Sequence, residues 1–157
     1  MLFVVGCGGE KKPDGMPALQ KTTLAFVQDG SPLTDATITL VPLESENIRW
    51  PAGGTTDSQG VLQVKTMAKY DGVPAGKFKI TVSKTETEGT FTPVESSDEG
   101  GARRPAATGN VKTYYLVDKK YRSADTTDLD LEIKSGTNAE TFDVGKPVRE
   151  QIPVYTD

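Results

Sequence analysis

The sequence predicts an all-β fold, a seven-stranded antiparallel Greek-key β-sandwich. Short segments in which apolar and polar side chains alternate recur along the 157 residues, and a period of two is typical of half-buried strands. The 16 glycines and 10 prolines supply many turn positions between these segments. We find no segment with the apolar period of an amphipathic helix, so helices are not expected to build the core.

Seven segments are predicted as strands, and residues 77–84 give the clearest pattern. There Phe78, Ile80 and Val82 alternate with lysine, threonine and serine, which predicts one buried and one solvated face. The other predicted strands are, in chain order, 22–28, 36–43, 61–67, 111–117, 129–133 and 140–144.

The connections between these strands carry their own signals. Asp57 predicts a turn capped by its side chain, and Gly60 predicts a position with positive φ. Residues 44–55, which include two adjacent glycines, are predicted as a loop. Residues 135–138 predict a turn that would join the last two strands as a hairpin.

The chain is expected to form one β-sandwich domain over residues 20–145, a size that a single core supports. Within it, the polar stretch 86–110 is predicted as a long loop. Residues 146–157 are interrupted by proline and predict an extended C-terminal tail. Residues 8–19 combine glycines, prolines and charges without a period, so they predict a flexible tether.

The composition argues against most catalytic chemistry. The chain has no histidine, which removes the usual general base near neutral pH and the commonest metal ligand. It has one cysteine, so no internal disulfide can form. The net charge of −4 provides no basic surface for nucleic acid. We therefore expect a non-enzymatic protein without cofactor, metal or nucleic-acid partner.

The first seven residues are interpreted as a targeting segment rather than as part of the folded domain. The run Val4-Val5-Gly6-Cys7 resembles the lipobox at the end of a bacterial lipoprotein signal peptide. That resemblance implies that Cys7 is the lipid attachment site and that the mature protein begins there. Because a secretory signal needs a basic start and a longer apolar stretch, residues 1–7 are interpreted as its truncated end, with Met1 an internal start. The protein is then expected to be exported and lipid-anchored in the cell envelope, at the outer membrane or its periplasmic face.

Three ordered motifs resemble the carboxypeptidase-regulatory-like and transthyretin-like (prealbumin-like) modules. The first runs over 29–40 (DGSPLTDATITL), the second over 54–61 (GTTDSQGV) and the third over 73–82 (VPAGKFKITV). Asp35 stands where the family usually has glycine, a mild change because aspartate tolerates left-handed backbone. The resemblance implies a seven-stranded sandwich and a structural or interaction role at the envelope, since its motifs serve turns rather than chemistry.

Aromatic side chains with polar tips suggest a second class of function. Trp50, Tyr70 and Tyr121, with Tyr114 and Tyr115, would form a stacking platform for a carbohydrate or peptidoglycan chain if they were exposed. In the alternative interpretation, Trp50 fills a loop and the tyrosines belong to the core. An envelope protein or a glycan is therefore the expected partner besides the membrane.

Two further patterns have a functional and a plain interpretation. Asp125, Asp128 and Asp130 could bind Ca²⁺ at the surface, but they lack the spacing of a calcium loop and are typical of a solvated edge. Lys21 and Asn138 could form the isopeptide crosslink found in related adhesin modules, although Lys21 precedes the strand position where that lysine is expected.

Overall fold

A computed structural model describes residues 11–89 and 111–153 and confirms the all-β fold. The strand-forming sequence is divided into fifteen short segments. Two 3-10 turns, at Ser45–Asn47 and Lys119–Arg122, are the helical elements of the described residues. In this part of the chain no helix is long and apolar enough to cross a membrane.

The larger sheet has six strands: β4 (Thr37–Pro42), β5 (Ala52–Thr55), β7 (Lys65–Thr66), β8 (Tyr70–Asp71), β10 (Gly76–Ser83) and β13 (Asp130–Ile133). They lie in the order β13-β10-β4-β5-β7-β8, and every neighbouring pair is antiparallel.

A four-stranded sheet is built around the second strand, which pairs with all three of the others. It contains β2 (Thr22–Gln28), β3 (Ser31–Pro32), β6 (Val61–Gln63) and β14 (Asn138–Asp143). Two small sheets complete the fold. They are formed by β1 (Leu19–Gln20) with β9 (Val73–Pro74), and by β11 (Thr85–Glu88), β12 (Lys112–Tyr115) and β15 (Glu150–Gln151).

The core lies between the two larger sheets, in a single apolar cluster. Leu24 and Phe26 enter it from β2, while Phe78, Ile80 and Val82 enter it from β10, and all five are at most 1% exposed. These are the inward positions that the period of two predicts, because successive side chains of a strand point to opposite faces. Burying such side chains is the main favourable contribution to folding, at roughly 1.5–3 kcal/mol each.

Buried threonines fasten the loops to this core. The Thr56 hydroxyl donates to the Leu33 carbonyl at 2.6 Å and accepts from the Ala36 N–H at 2.9 Å. The Thr66 hydroxyl donates to the Gly72 carbonyl, and the Thr127 hydroxyl donates to the Ile80 carbonyl. Each bond satisfies a backbone group that would otherwise be buried without a partner, so these residues are polar members of the core.

The prediction that the last two strands pair as a hairpin is wrong. β13 pairs with β10 in the six-stranded sheet, whereas β14 crosses to the other sheet and pairs with β2 in parallel. The turn between them is closed by Asn138, whose side-chain amide donates to the Lys134 carbonyl and whose side-chain oxygen accepts from the Lys134 N–H. A short turn can therefore join strands of different sheets. Farther along β14, Phe142 stacks on its register partner Phe26 with ring centroids 5.5 Å apart.

The predicted loop 44–55 also ends earlier than expected, because β5 forms from Ala52–Thr55. A Cβ on Gly53 would stand 2.2 Å from the Ile38 carbonyl oxygen, so only glycine allows β5 to approach β4 this closely. Glycine has no side chain to contribute to an alternation of apolar and polar residues, so the alternation could not predict this strand.

The predicted loop at 86–110 and the tail at 146–157 are partly ordered into strands. The first residues of that loop belong to β11, which pairs with β12, and residues 90–110 lie outside the described part. The tail contributes β15 to the same small sheet.

Candidate functional site

The three predicted ligand-binding aromatics are buried. Trp50 is 7% exposed, Tyr70 is 9% exposed and Tyr121 is 6% exposed, so the exposure on which a stacking platform depends is not found. They also lie in separate places: Trp50 in the loop after β4, Tyr70 in β8, and Tyr121 in the 3-10 turn that follows β12. An exposed stacking platform is therefore not formed by these side chains. Cys7, the predicted lipid attachment site, lies outside the described residues.

Trp50 fills the loop, as the alternative interpretation proposed. The Trp50 backbone N–H donates to the Asn47 carbonyl at 3.0 Å, and the Arg49 guanidinium lies 5.7 Å from the centroid of the Trp50 ring. The Asn47 side chain is itself buried and donates to the Ala75 carbonyl. These bonds tie the loop 43–51 to the segment that leads into β10.

Tyr70 contacts the N-terminal segment. Its hydroxyl donates to the Lys11 carbonyl at 3.3 Å, across 59 residues of sequence. Farther along, Leu19 and Gln20 pair with Pro74 and Val73 as β1 and β9. Residues 11–19 of the predicted tether are thus attached to the domain at both of their ends.

Tyr121 belongs to the apolar core, and its neighbour Lys120 lies over its ring at 4.6 Å. A side-chain hydrogen bond to Tyr121, followed by one to Asp128, raises the pKa of Lys120 above its usual range. Asp128 accepts from the Lys120 ammonium at 3.1 Å, and Asp130 pairs with Lys79 at 2.6 Å. Two of the three aspartates considered for calcium, Asp128 and Asp130, are therefore engaged with lysines. The described residues contain no group of three His, Cys, Asp or Glu side chains placed to hold a metal.

The second pair of tyrosines lies in the small sheet. Arg122 lies over the Tyr115 ring at 3.9 Å and Arg149 lies over the Tyr114 ring at 4.0 Å. Arg122 also pairs with Glu150 at 2.6 Å. Since a guanidinium covers one face of each ring, cation–π contacts join Tyr115 to the 3-10 turn at Arg122 and Tyr114 to the C-terminal segment at Arg149.

Lys21 and Asn138 do not form the buried arrangement that an isopeptide bond needs. Lys21 is exposed, and the Asn138 amide is engaged with the Lys134 backbone. Their backbones meet instead, because the Asn138 N–H donates to the Lys21 carbonyl.

Several loops gather at one end of the sandwich, which we call the entry end because the N-terminal segment enters the fold there. Its loops are 11–21, 43–51, 67–69 and 134–137. The Leu43 N–H donates to the Lys77 carbonyl at the start of β10, and the Met67 N–H donates to the Pro51 carbonyl at 2.7 Å. The Gly136 N–H donates to the Gln20 side chain at 2.7 Å. Four connections that are distant in sequence thus form one surface.

Three large apolar side chains are exposed at the entry end, among charged residues of the same loops. Leu43 is 58% exposed, Ile48 is 66% exposed and Met67 is 46% exposed. These are the large hydrophobic side chains that the described residues leave exposed, and all three belong to loops of the entry end or its border. Single exposed apolar residues need no explanation, but their concentration at one end indicates an interaction surface.

Comparisons with family models, with curated proteins and with solved structures gave no match for this chain.

The properties of the entry end therefore follow from its own residues alone. Signals for it in the sequence are weak, because Leu43, Ile48 and Met67 sit in different loops and only the strand pairing brings those loops together.

An open groove of about 610 Å³ adjoins the entry end along β4, β5 and the β7–β8 hairpin. Thr39, Gly53 and Lys65 line this groove, together with Met67 and Ala68 of the hairpin tip. Among the described residues, Lys65 is the charged side chain that lines it.

The hairpin tip is strained. Met67 has φ 55° and Ala68 has φ 57°, both in the left-handed region that glycine and asparagine usually occupy. For other L-amino acids this backbone costs about 1–2 kcal/mol per residue. The Lys69 N–H donates to the Thr66 carbonyl and closes the turn in spite of this strain.

Replacing Ala68 with glycine should stabilise the protein by about 0.5–1 kcal/mol, because glycine adopts positive φ without steric cost. Urea unfolding of the two proteins measures the difference. Ala139→Gly in the exposed strand β14 is the matched control and should destabilise by about 0.5–1 kcal/mol, since Ala139 is not at positive φ. A loss of stability in Ala68→Gly equal to that of the control would show that the tip is not strained.

Proposed function

We propose that this protein is a lipid-anchored module of the bacterial cell envelope that acts by binding and positioning rather than by catalysis. The observation that carries the proposal is the run Val4-Val5-Gly6-Cys7, which precedes an all-β domain by a short connecting segment. Acylation of Cys7 would hold that domain at a bilayer, and two acyl chains are enough for stable anchoring. A sandwich of the transthyretin-like or carboxypeptidase-regulatory-like kind, on the outer membrane or facing the periplasm, belongs to the same proposal.

The start of the described chain supports a short attachment. The Lys11 carbonyl is bonded to Tyr70, and Cys7 lies four residues before it. Four residues span at most about 14 Å even when fully extended. An acylated Cys7 would therefore keep the entry end, rather than the opposite end, close to the bilayer.

The absence of histidine supports a non-enzymatic role, because general acid–base catalysis at neutral pH would depend on carboxylates, lysines or tyrosines alone. Among the ionisable groups described, the pKa shift that stands out belongs to Lys120, whose partners Tyr121 and Asp128 hold it as a structural contact. The glycan-binding alternative loses its main support with the burial of Trp50, Tyr70 and Tyr121.

Metabolic labelling with an alkyne fatty acid tests the anchor. We expect the natively expressed protein to carry the label and to partition into the detergent phase, whereas Cys7→Ser should be unlabelled and remain in the aqueous phase. Circular dichroism of the purified Cys7→Ser protein should show the same β signature, because Cys7 precedes the described domain. A native protein that is unlabelled and aqueous would contradict the proposal.

A further inference from the structure

We propose that the entry end is a membrane-docking face, which inserts Ile48 and Met67 among lipid headgroups while basic side chains around them contact anionic lipid. This inference rests on the proposed lipid anchor for its orientation, but the docking face itself is defined by residues of the described domain. Its occupant is the surface of an anionic bilayer.

The apolar part of the face is formed by two loops in direct contact. Ile48 belongs to the loop 43–51 and Met67 to the hairpin tip, and the Met67 N–H donates to the Pro51 carbonyl at 2.7 Å. Ile48 is 66% exposed and Met67 is 46% exposed. The left-handed backbone at Met67 and Ala68 forms the tight turn from which this side chain projects. Exposed apolar residues at loop tips can enter the interface between headgroups and acyl chains, where burial of each methylene is favourable.

The four loops of the entry end carry more basic than acidic side chains, although the whole chain is acidic, with net charge −4. Six exposed basic residues belong to these loops: Lys11, Lys12, Lys21, Arg49, Lys69 and Lys134. Arg49 follows Ile48 and lies against Trp50, and Lys69 lies 5.3 Å from the Tyr70 ring centroid. Lys11, whose carbonyl accepts from Tyr70, and Lys12 are both exposed. The acidic groups at this end are Asp14, Glu44, Glu46 and Asp71, and Asp71 is paired with Lys65 at 3.5 Å.

This charge arrangement favours lipid over a second copy of the chain. Two copies joined through this same end would bring their basic groups together, whereas an anionic lipid surface attracts basic groups that lie beside exposed apolar tips. Each lysine or arginine near such a surface adds roughly a fivefold gain in binding.

The anchor makes weak docking sufficient. Once acyl chains hold Cys7 in the bilayer, the four-residue connection to Lys11 keeps the entry end within about 14 Å of the lipid. A short connection raises the effective concentration of the second contact to the millimolar range. Docking with a dissociation constant well above a micromolar would then still fix the domain with its opposite end facing away from the bilayer.

Vesicle binding of the full-length Cys7→Ser protein tests the docking face without the lipid anchor. We expect it to float with vesicles of equal parts phosphatidylglycerol and phosphatidylcholine at low salt, and to bind pure phosphatidylcholine far more weakly. Lys11→Gln combined with Lys12→Gln should weaken binding to the anionic vesicles roughly thirtyfold. Ile48→Gln combined with Met67→Asn should weaken it about tenfold or more, and asparagine suits the backbone at position 67.

The matched control removes two exposed lysines elsewhere, by Lys112→Gln combined with Lys119→Gln. These lysines lie in β12 and in the 3-10 turn after it, toward the opposite end of the sandwich, so the control should bind as Cys7→Ser does. If both double lysine variants lost the same affinity for anionic vesicles, net charge alone would explain the binding, and the docking face would be overturned. Equal binding to both kinds of vesicle, or self-association without vesicle binding, would also overturn it. Fatty-acid labelling at Cys7 reports on the anchor independently, so failure of one proposal is distinguishable from failure of the other.

Discussion

Replacing Gly60 with alanine is expected to destabilise the protein by about 2–5 kcal/mol, a large share of the stability of an ordinary domain. Gly60 has φ 73°, and a Cβ there would stand 2.6 Å from the Phe26 carbonyl oxygen and 3.0 Å from the Leu33 nitrogen. Both contacts are with backbone of the core strand and its neighbouring loop, so neither can move away cheaply. The Phe26 N–H also donates to the Gly60 carbonyl at 2.8 Å, and displacement of Gly60 would weaken that bond.

Gly30→Ala is the control that separates backbone strain from steric clash. Gly30 has φ 77°, nearly the same as Gly60, but a Cβ there meets nothing within 4 Å. Gly30→Ala should therefore lose only the strain, about 1–2 kcal/mol. Urea unfolding of both variants measures the difference, and equal losses would show that the packing around Gly60 is looser than the distances indicate.

Replacing Thr56 with valine is expected to destabilise the protein by about 2–5 kcal/mol, although the two side chains have nearly the same shape. Thr56 is 2% exposed, and its hydroxyl bonds to both the Leu33 carbonyl and the Ala36 N–H. Valine would leave these two buried backbone groups without their side-chain partner, at roughly 1–3 kcal/mol each. The backbone of residue 56 is also hydrogen-bonded to Asp35 and Ala36 of the same loop. These bonds would keep the valine side chain against the two unpaired backbone groups, so the loop could not move to expose them to water.

Thr56→Ser keeps the hydroxyl and removes only a methyl group, so it should destabilise by about 1 kcal/mol. Chemical unfolding of the serine and valine variants compares the contribution of the methyl group with that of the hydroxyl hydrogen bonds. If serine were as damaging as valine, the packing of the methyl group, not the hydrogen bonds, would be the important contribution of this residue.

The sequence predicts the inner strands well because their signal is local. β2, β4 and β10 appear within a residue or two of their predicted bounds, and Phe78, Ile80 and Val82 point inward as their alternation requires. The turn at residues 57–60 is also confirmed. The Asp57 carboxylate accepts from the Gln59 and Val61 N–H groups, and Gly60 has positive φ.

Predictions that depended on long-range pairing were less successful. The pattern at β14 fits an antiparallel hairpin partner and a parallel edge strand equally well, because side-chain alternation does not encode the neighbouring strand. Trp50, Tyr70 and Tyr121 have the amphipathic character of both a binding platform and a core, and only packing decides which they become. The local signal for the entry end is weak, since its exposed residues belong to different loops that only strand pairing brings together.

By itself, the sequence determined the fold class, the inward faces of the main strands and the turns that need glycine or aspartate, because each depends on the conformational preferences of a few neighbouring residues. It also contains the lipobox-like run on which the proposed anchor depends. Only the tertiary structure decided that β14 runs parallel to β2, that the candidate aromatics are buried, and that Lys11, Ile48 and Met67 share one end of the molecule. The physical reason is that these properties arise from contacts between residues tens of positions apart, which are fixed by how the two sheets pack and not by the pattern along any one strand.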